Sequence, residues 1–304
     1  MRYIFVINGK PTKAYLVDEV KRQTDALVAD GLLDKEQYQI YCTTAEGDAT
    51  RYVHLFCDIH TRESICFVAC GGDGIINEVA SGLVGFEKED KHLSIFTYKS
   101  NSDFAKNFPG VVFSDIKGIV LGNSRPIDII KCGNGYCLNV CNVGFAAKVA
   151  VYGKKNVLKG RKKPYEKGIA EAVLFSRFNH IKVYVDGEKV CSWMLFCDIA
   201  NGRICGDGYI CSPNALIDDG WIDISVAKMI PLIKFLQLLP HYSKGTHLTN
   251  PKFKNVFTYR KAKEIRVVAP NHTTICPDGE LLGGFDFLIK ILPGGINFIT
   301  PAAQ

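Results

Sequence analysis

No stretch of this sequence is apolar for long enough to cross a bilayer as a helix. The longest runs, such as Trp193–Cys197 and Phe235–Pro240, fall far short of the ~20 residues a spanning helix needs. No basic segment, apolar stretch and small-residue cleavage site precede the first strand-like run, Tyr3–Asn8, so no secretory leader is expected. The expected location is the cytoplasm, free or peripheral at the inner face of the membrane. Twelve cysteines are present, but none are spaced Cys-x-x-Cys, which removes the usual zinc arrangement. They sit singly, several inside apolar runs (Cys66, Cys137, Cys141, Cys197), as reduced buried thiols do. Neither a Walker A sequence nor a Gly-x-Gly-x-x-Gly occurs, so the two usual phosphate loops are absent. The net charge is only +6. That suits an anionic ligand or membrane surface and speaks against a nucleic-acid partner. Internal repeats and low-complexity segments are also missing.

What is there has the balance of a folded globular protein, with 47% hydrophobic and 22% charged residues over 304 positions. That length allows one large domain or two medium ones. The first part alternates strand-like and helix-like segments. The strands are Tyr3–Asn8, Tyr38–Thr43, Ile65–Cys70 and Leu93–Tyr98. Between them, Ala14–Leu32 carries Leu16, Val17, Val20 and Leu27 on one face, Asp48–His60 reads as a helix capped by Asp48, and Ile75–Leu83 is the third helix. This order predicts an α/β domain with an open, mostly parallel sheet and flanking helices. After Arg125 the pattern changes. Gly133-Asn134-Gly135 and Asp186-Gly187-Glu188 separate paired strand-like runs, Ile127–Cys132 with Tyr136–Val140 and Ile181–Val185 with Lys189–Phe196. Ile222–Ala227, Glu264–Val268 and Phe285–Leu292 add strands, and helices are expected near Tyr165–Phe178 and Pro231–Leu239. A mainly antiparallel β-sandwich is the predicted second domain. The boundaries expected are residues 1–126 and 127–285.

The sharpest chemical feature is Gly71-Gly72-Asp73-Gly74, at the end of a strand and the start of a helix. Glycines there let backbone amides approach an anion, and a helix N-terminus adds partial positive charge. An aspartate among phosphates calls for a cation, so Asp73 points to Mg²⁺, directly or through water. Taken alone, the segment also reads as a tight turn that binds nothing. Asn77-Glu78 lies one turn on. Lys99-Ser100-Asn101-Ser102-Asp103-Phe104 follows the next strand and so reaches the same sheet edge, where ligands of parallel α/β sheets bind. Pro277-Asp278-Gly279-Glu280 places two acids about a glycine, as a hydroxyl-activating base or as a plain turn.

Together these segments resemble the diacylglycerol kinase catalytic-domain family, in its bacterial soluble lipid-kinase form. The resemblance is carried by Gly71–Val79 (GGDGIINEV), Ser102–Phe108 (SDFAKNF), Arg125–Ile130 (RPIDII), Tyr136–Phe145 (YCLNVCNVGF), Ser212–Asp223 (SPNALIDDGWID) and Pro277–Glu280 (PDGE). It implies an ATP- and Mg²⁺-dependent transfer of phosphate to a lipid hydroxyl. By the same resemblance Asn8, Thr43, Gly71, Gly72, Asp73, Gly74, Asn77, Glu78 and Ser100 contact ATP. Asp73, Asp103 and Asp128 correspond to the acidic network that holds catalytic magnesium through water. Asp278 and Glu280 hold the general base, with Asp278 preferred, and Leu216, Asp219 and Trp221 hold a structural magnesium, the outer two through their backbone carbonyls. The C-terminal segment, about 286–304, is implied to return to the first domain.

The departures lie on the nucleotide side. Asn8 is followed by Gly9-Lys10-Pro11-Thr12 in place of the family's NPxxG. Ile75 replaces a threonine, Lys99 a glycine and Ser102 an asparagine, and Ala146 stands where many relatives carry an aspartate. A nucleotide-binding regulatory paralogue without turnover is therefore the alternative reading. A basic run, Lys154, Lys155, Lys159, Arg161, Lys162, Lys163 and Lys167, reads as a solvated face or as a dock for anionic headgroups. A homodimer is compatible with all of this.

Overall fold

The structure, a computed structural model, describes residues 1–10, 13–86, 89–160, 162, 164–175 and 180–302, without the side chains of 164, 165, 174 and 175. Pro11, Thr12, Arg161, Lys163 and the end of the expected helix Tyr165–Phe178 lie outside the described residues. The chain forms two compact units, Met1–Asp128 with Gly294–Gln304, and Ile129–Pro293.

In the first unit, β1 (Arg2–Asn8), α1 (Ala14–Ala29), β2 (Tyr38–Thr43), α2 (Asp48–Ile59), β3 (Ile65–Cys70), α3 (Asp73–Leu83) and β4 (Lys91–Phe96) alternate along the chain. A short α4 (Ile116–Val120) follows. The strands pair in parallel in the order β2-β1-β3-β4. Every residue of β3 and β4 is buried, as expected when helices cover both faces of a parallel sheet. Leu16, Val20 and Leu27 of α1 pack on Phe5, Ile7 and Val68. At the carboxyl ends of β1 and β2 a side chain on Gly9 would come within 1.9 Å of the Thr43 carbonyl oxygen, so only glycine fits there. Two local expectations need correction. Strand β4 starts at Lys91, because the buried Lys91 ammonium donates to the carbonyls of Thr61 (3.2 Å) and Glu63 (2.8 Å), which hides a polar residue inside the sheet. The cap of α2 is Gly47, at φ 77, and Asp48 sits in the first turn.

The second unit contains the end of β5 (Asn123–Cys132), then β6 (Gly135–Cys137), β7 (Val140–Gly144), α5 (Phe145–Leu158), α6 (Pro164–Phe175), β8 (Lys182–Val185), β9 (Glu188–Cys191) and β10 (Met194–Ala200). Next come β11 (Ile222–Lys228), α7 (Leu232–Ser243), β12 (Phe257–Ala262), β13 (Glu264–Pro277) and the start of β14 (Leu282–Thr300). Antiparallel pairing runs β12-β11-β10-β7-β13-β14, with β8 and β9 beyond another part of β13. The fold class is the one expected: an α/β domain and then an antiparallel β-sandwich. Apolar side chains including Val143, Cys197, Ile224, Ile265 and Phe287 fill the sandwich. A further cluster lies beneath the helices, with Phe145, Phe196, Phe235, Leu238 and Phe253. Residues 294–300 of β14 belong to the first unit, where Phe298 pairs in parallel with Leu93.

Candidate active site

The Gly71–Gly74 loop leaves β3 and opens α3. Gly71 has φ 147 and donates its amide to the Phe96 carbonyl (3.0 Å), which ties the ends of β3 and β4 together. A Cβ on Gly72 would stand 3.0 Å from the Asn101 carbonyl oxygen, so a side chain there would crowd the neighbouring loop. Asp73 reaches across to that loop. Its Oδ1 accepts from the Ser102 hydroxyl (2.6 Å) and the Phe104 amide (3.2 Å), and its Oδ2 from the Asp103 amide (2.9 Å). Burial pushes the Asp73 carboxyl up, against the downward pull of those three hydrogen bonds. Ser102, the residue that departs from the family pattern, thus binds Asp73 directly. Lys99 has φ 50, the left-handed conformation that favours the family's glycine. Its ammonium lies 5.0 Å from the Tyr98 ring centroid.

The other first-unit residues are placed as follows. The Asn8 side chain accepts from the Lys10 amide (3.1 Å), and the Thr43 hydroxyl from the Gly9 amide (3.3 Å). Asn77 is buried and accepts from Ser81 (3.4 Å). Ser100 donates to the Tyr98 carbonyl (3.4 Å). Glu78 turns to α2, where its Oε2 accepts from the Ala49 amide (3.2 Å), so its carboxylate serves a helix start. Asp103 pairs with Lys106 (2.7 Å), and the buried Asp128 accepts from the Gly294 amide (2.8 Å). Among the described residues no group of three or more His, Cys, Asp or Glu side chains is arranged to hold a metal ion. Both Asp73 oxygens are engaged by the 102–104 loop, which leaves this carboxylate better suited to meet a magnesium ion through water than directly.

In the second unit Asp278 and Gly279 form a left-handed turn, at φ 45 and 88. The Asp278 carboxylate is wrapped by consecutive amides: Leu138 donates to Oδ2 (2.5 Å), and Asn139 (3.1 Å) and Val140 (3.0 Å) donate to Oδ1. Its own amide donates to the Val140 carbonyl (3.1 Å). Such a cradle fixes the position of the carboxyl group. Glu280 is half-buried, 3.8 Å from Lys154, so one member of the basic run faces an acid in the Pro277–Glu280 turn. The amides of 138–140 fall within a block singled out in the sequence, but nothing there assigned them a role.

The Leu216, Asp219 and Trp221 loop is held by lysines. Asp219 accepts from the Lys261 ammonium and from the Trp221 amide (3.0 Å). The Gly220 carbonyl accepts from Lys263, whose ammonium also stands 3.7 Å from the Trp221 ring centroid. Leu216 is exposed. Of the three residues expected about a structural magnesium, Asp219 carries an ammonium on its carboxylate.

Sequence reasoning missed the apolar cavity of the second unit. It has a volume of about 730 Å³ including its open mouth, and its walls come from α5, α6, β10 and α7. Phe145, Val149, Ile169, Phe196, Phe235 and Leu238 supply most of its surface, and Ala146 lies among them. Two polar side chains on its wall, Asn142 (2.8 Å) and Tyr242 (2.7 Å), donate to the fully buried Asp198 behind it. Burial pushes the Asp198 carboxyl up to about 7, although both hydrogen bonds oppose the shift. The only signal was the helical apolar spacing of Phe235, Leu238, Leu239 and Tyr242, which reads equally as core.

A parallel α/β unit with a glycine loop at its strand ends, followed in the chain by an antiparallel β-sandwich, defines the class of two-domain kinase-like folds. Two family models divide this chain between them: the diacylglycerol kinase catalytic domain over residues 2–132 and the YegS C-terminal NAD kinase beta sandwich-like domain over residues 139–300. The chain belongs to the family built from these two domains. It is 28% identical to a Yersinia pestis (strain Pestoides F) protein named "Probable lipid kinase YegS-like", over 98% of this chain and 96% of that one. A protein of the same name from Enterobacter sp. (strain 638) is 25% identical, covering 98% and 95%. Among solved structures, a diacylglycerol kinase from Bacillus anthracis str. Sterne shares the fold, with a TM-score of 0.71, 20% identity and coverage of 98% and 96%.

Proposed function

We propose that this chain is a lipid kinase that transfers the terminal phosphoryl group of ATP to the hydroxyl of diacylglycerol or a related lipid. The observation that carries the lipid reading is the cavity of the second unit, whose lining is almost wholly apolar and suits an acyl or alkyl segment. The kinase reading is supported by the family and by relatives named as lipid kinases. On the donor side, the Gly71–Gly74 amides at the start of α3 suit phosphate, and Asp73 keeps the 102–104 loop in place beside them. Lys99 keeps the backbone shape of the glycine it replaces, which favours an active enzyme over a paralogue without turnover. ATP brings Mg²⁺ on its own phosphates; no protein cage for the ion is part of this proposal.

Phosphoryl transfer through a loose transition state asks the protein for positioning and charge balance more than for a strong base. Asp278 meets that demand, because three amides fix its carboxyl group, ready to orient the acceptor hydroxyl and take its proton. Glu280, on the same turn, is the other acid of the site. The test is transfer of labelled phosphate from ATP to a total lipid extract, followed by identification of the product. A labelled lipid that disappears with Asp278→Asn supports the proposal. No labelled lipid from the wild type with ATP and Mg²⁺ would overturn it in favour of the regulatory paralogue.

A further inference from the structure

Helix α7 has two apolar faces. Phe235, Leu238, Leu239 and Tyr242 line the cavity, whereas Ile233 and Leu236 are 74% and 54% exposed. Gln237 and Pro240 continue that exposed stripe at helical spacing. A helix needs one apolar face to fold onto its domain, so the other asks for a further partner. The charge of its own chain segment is of one sign, although Glu166 and Asp207 lie near Tyr209 on the cavity side. From Ile224 to Lys263 the sequence has no Asp or Glu and eight Lys or Arg. Arg260 is taken by Glu188, and Lys261 and Lys263 by the 219–220 loop. Among the described residues, none of the other five, Lys228, Lys234, Lys244, Lys252 and Lys254, pairs with a carboxylate. Lys244 caps the C-terminus of α7. Lys252 and Lys254 flank Phe253, which packs in the same cluster as Phe235 and Leu238.

We infer that α7 docks this chain on an anionic bilayer surface, with Ile233 and Leu236 entering the acyl boundary and the lysines meeting headgroups. A bilayer with anionic lipid offers both chemistries side by side. A second copy of the chain would instead bring like-charged lysines together. The inference rests on the lipid-kinase reading only for what enters the cavity behind the helix; docking itself needs no turnover.

The test is co-sedimentation of the full chain with phosphatidylcholine vesicles, with and without phosphatidylglycerol, at low and high salt. Wild type should bind only the anionic vesicles, and salt should release it. The double variant Ile233→Ser/Leu236→Ser and the triple variant Lys244→Gln/Lys252→Gln/Lys254→Gln should each weaken binding by ~10-fold or more. Every side chain changed in these variants is exposed, so thermal melts should not move. Phosphorylation of a short-chain, water-soluble acceptor should also persist in both variants while that of vesicle-borne lipid falls. Variants that bind like wild type, or a wild type that ignores anionic lipid, overturn the inference. So does a wild-type dimer that Ile233→Ser/Leu236→Ser converts to monomer without changing vesicle binding. If no form phosphorylates any lipid but vesicle binding follows this pattern, docking stands and the kinase reading falls.

Discussion

Asp73 in the first unit and Asp278 in the second unit have similar sequence surroundings, each an acid next to glycine. Each also accepts main-chain amides from a segment remote in the chain. They differ in what those bonds achieve. Asp73 braces a loop, and its burial pushes the carboxyl up. Asp278 is itself the group being braced, by three successive amides in a half-buried turn. A glycine-flanked acid therefore marks where a carboxylate stands; the donors around it decide whether it braces a loop or is itself held in place.

The largest effect should come from Asp278. Asp278→Asn should lower kcat by roughly 10²–10⁴-fold, the size of general acid–base work, with little change in nucleotide affinity. For an acid exposed in a cleft, this isosteric change would spare stability. The amide cradle alters that expectation, because an Asn NH₂ facing N–H donors loses acceptors and should cost about 1–3 kcal/mol. Glu280→Gln should slow turnover with an unmoved melt. Lipid phosphorylation rates beside thermal melts check both, and wild-type rates in the two variants would reduce this turn to a plain hairpin.

A third carboxylate sharpens the contrast, since Asp198 is held by side chains alone. Its folded pKa, about 7, lies above the unfolded one. The folded state therefore binds the extra proton, and the stability this acid confers is present at low pH and lost as pH rises towards 7. Relative to wild type, Asp198→Asn should gain stability across that window, by up to about 4 kcal/mol if the whole shift is realised. Denaturant melts of both proteins at several pH values would show a constant difference if Asp198 titrates normally.

Smaller effects follow. Lys99→Gly should stabilise the first unit by about 1 kcal/mol, by removing left-handed strain from a non-glycine residue. A fall in the melting temperature would mean that the contact with Tyr98 outweighs the strain. Chelation without nucleotide should leave the melt unchanged, because Lys261 and Lys263 already hold Asp219 and Gly220. Lowered stability in chelator would restore a structural ion.

Much of the first unit was legible, because each buried parallel strand is a continuous apolar run and each loop between strand and helix carries its glycines. The second unit was less so. Helix α5 escaped notice because Lys148, Lys154 and Lys155 interrupt its apolar spacing. Strand β14 runs to 19 residues, far beyond the expected Phe285–Leu292, because Pro293-Gly294-Gly295 resembles a stop signal inside it. Of the site, the positions of the acids could be read. Their partners could not: Leu138 and Asp278 are 140 residues apart, and amides leave no trace in side-chain identity.

The return of Gly294–Gln304 to the first unit has a consequence during synthesis. The edge of β4 that pairs with Phe298 is made early, and its partner emerges only after the whole β-sandwich sequence has been translated. At ~5–20 residues per second, that interval is on the order of 10–40 s. For that time the nascent parallel sheet carries an unsatisfied strand edge, open to wrong partners. A ribosome-bound chain stalled before Gly294 should therefore be the form most in need of a chaperone.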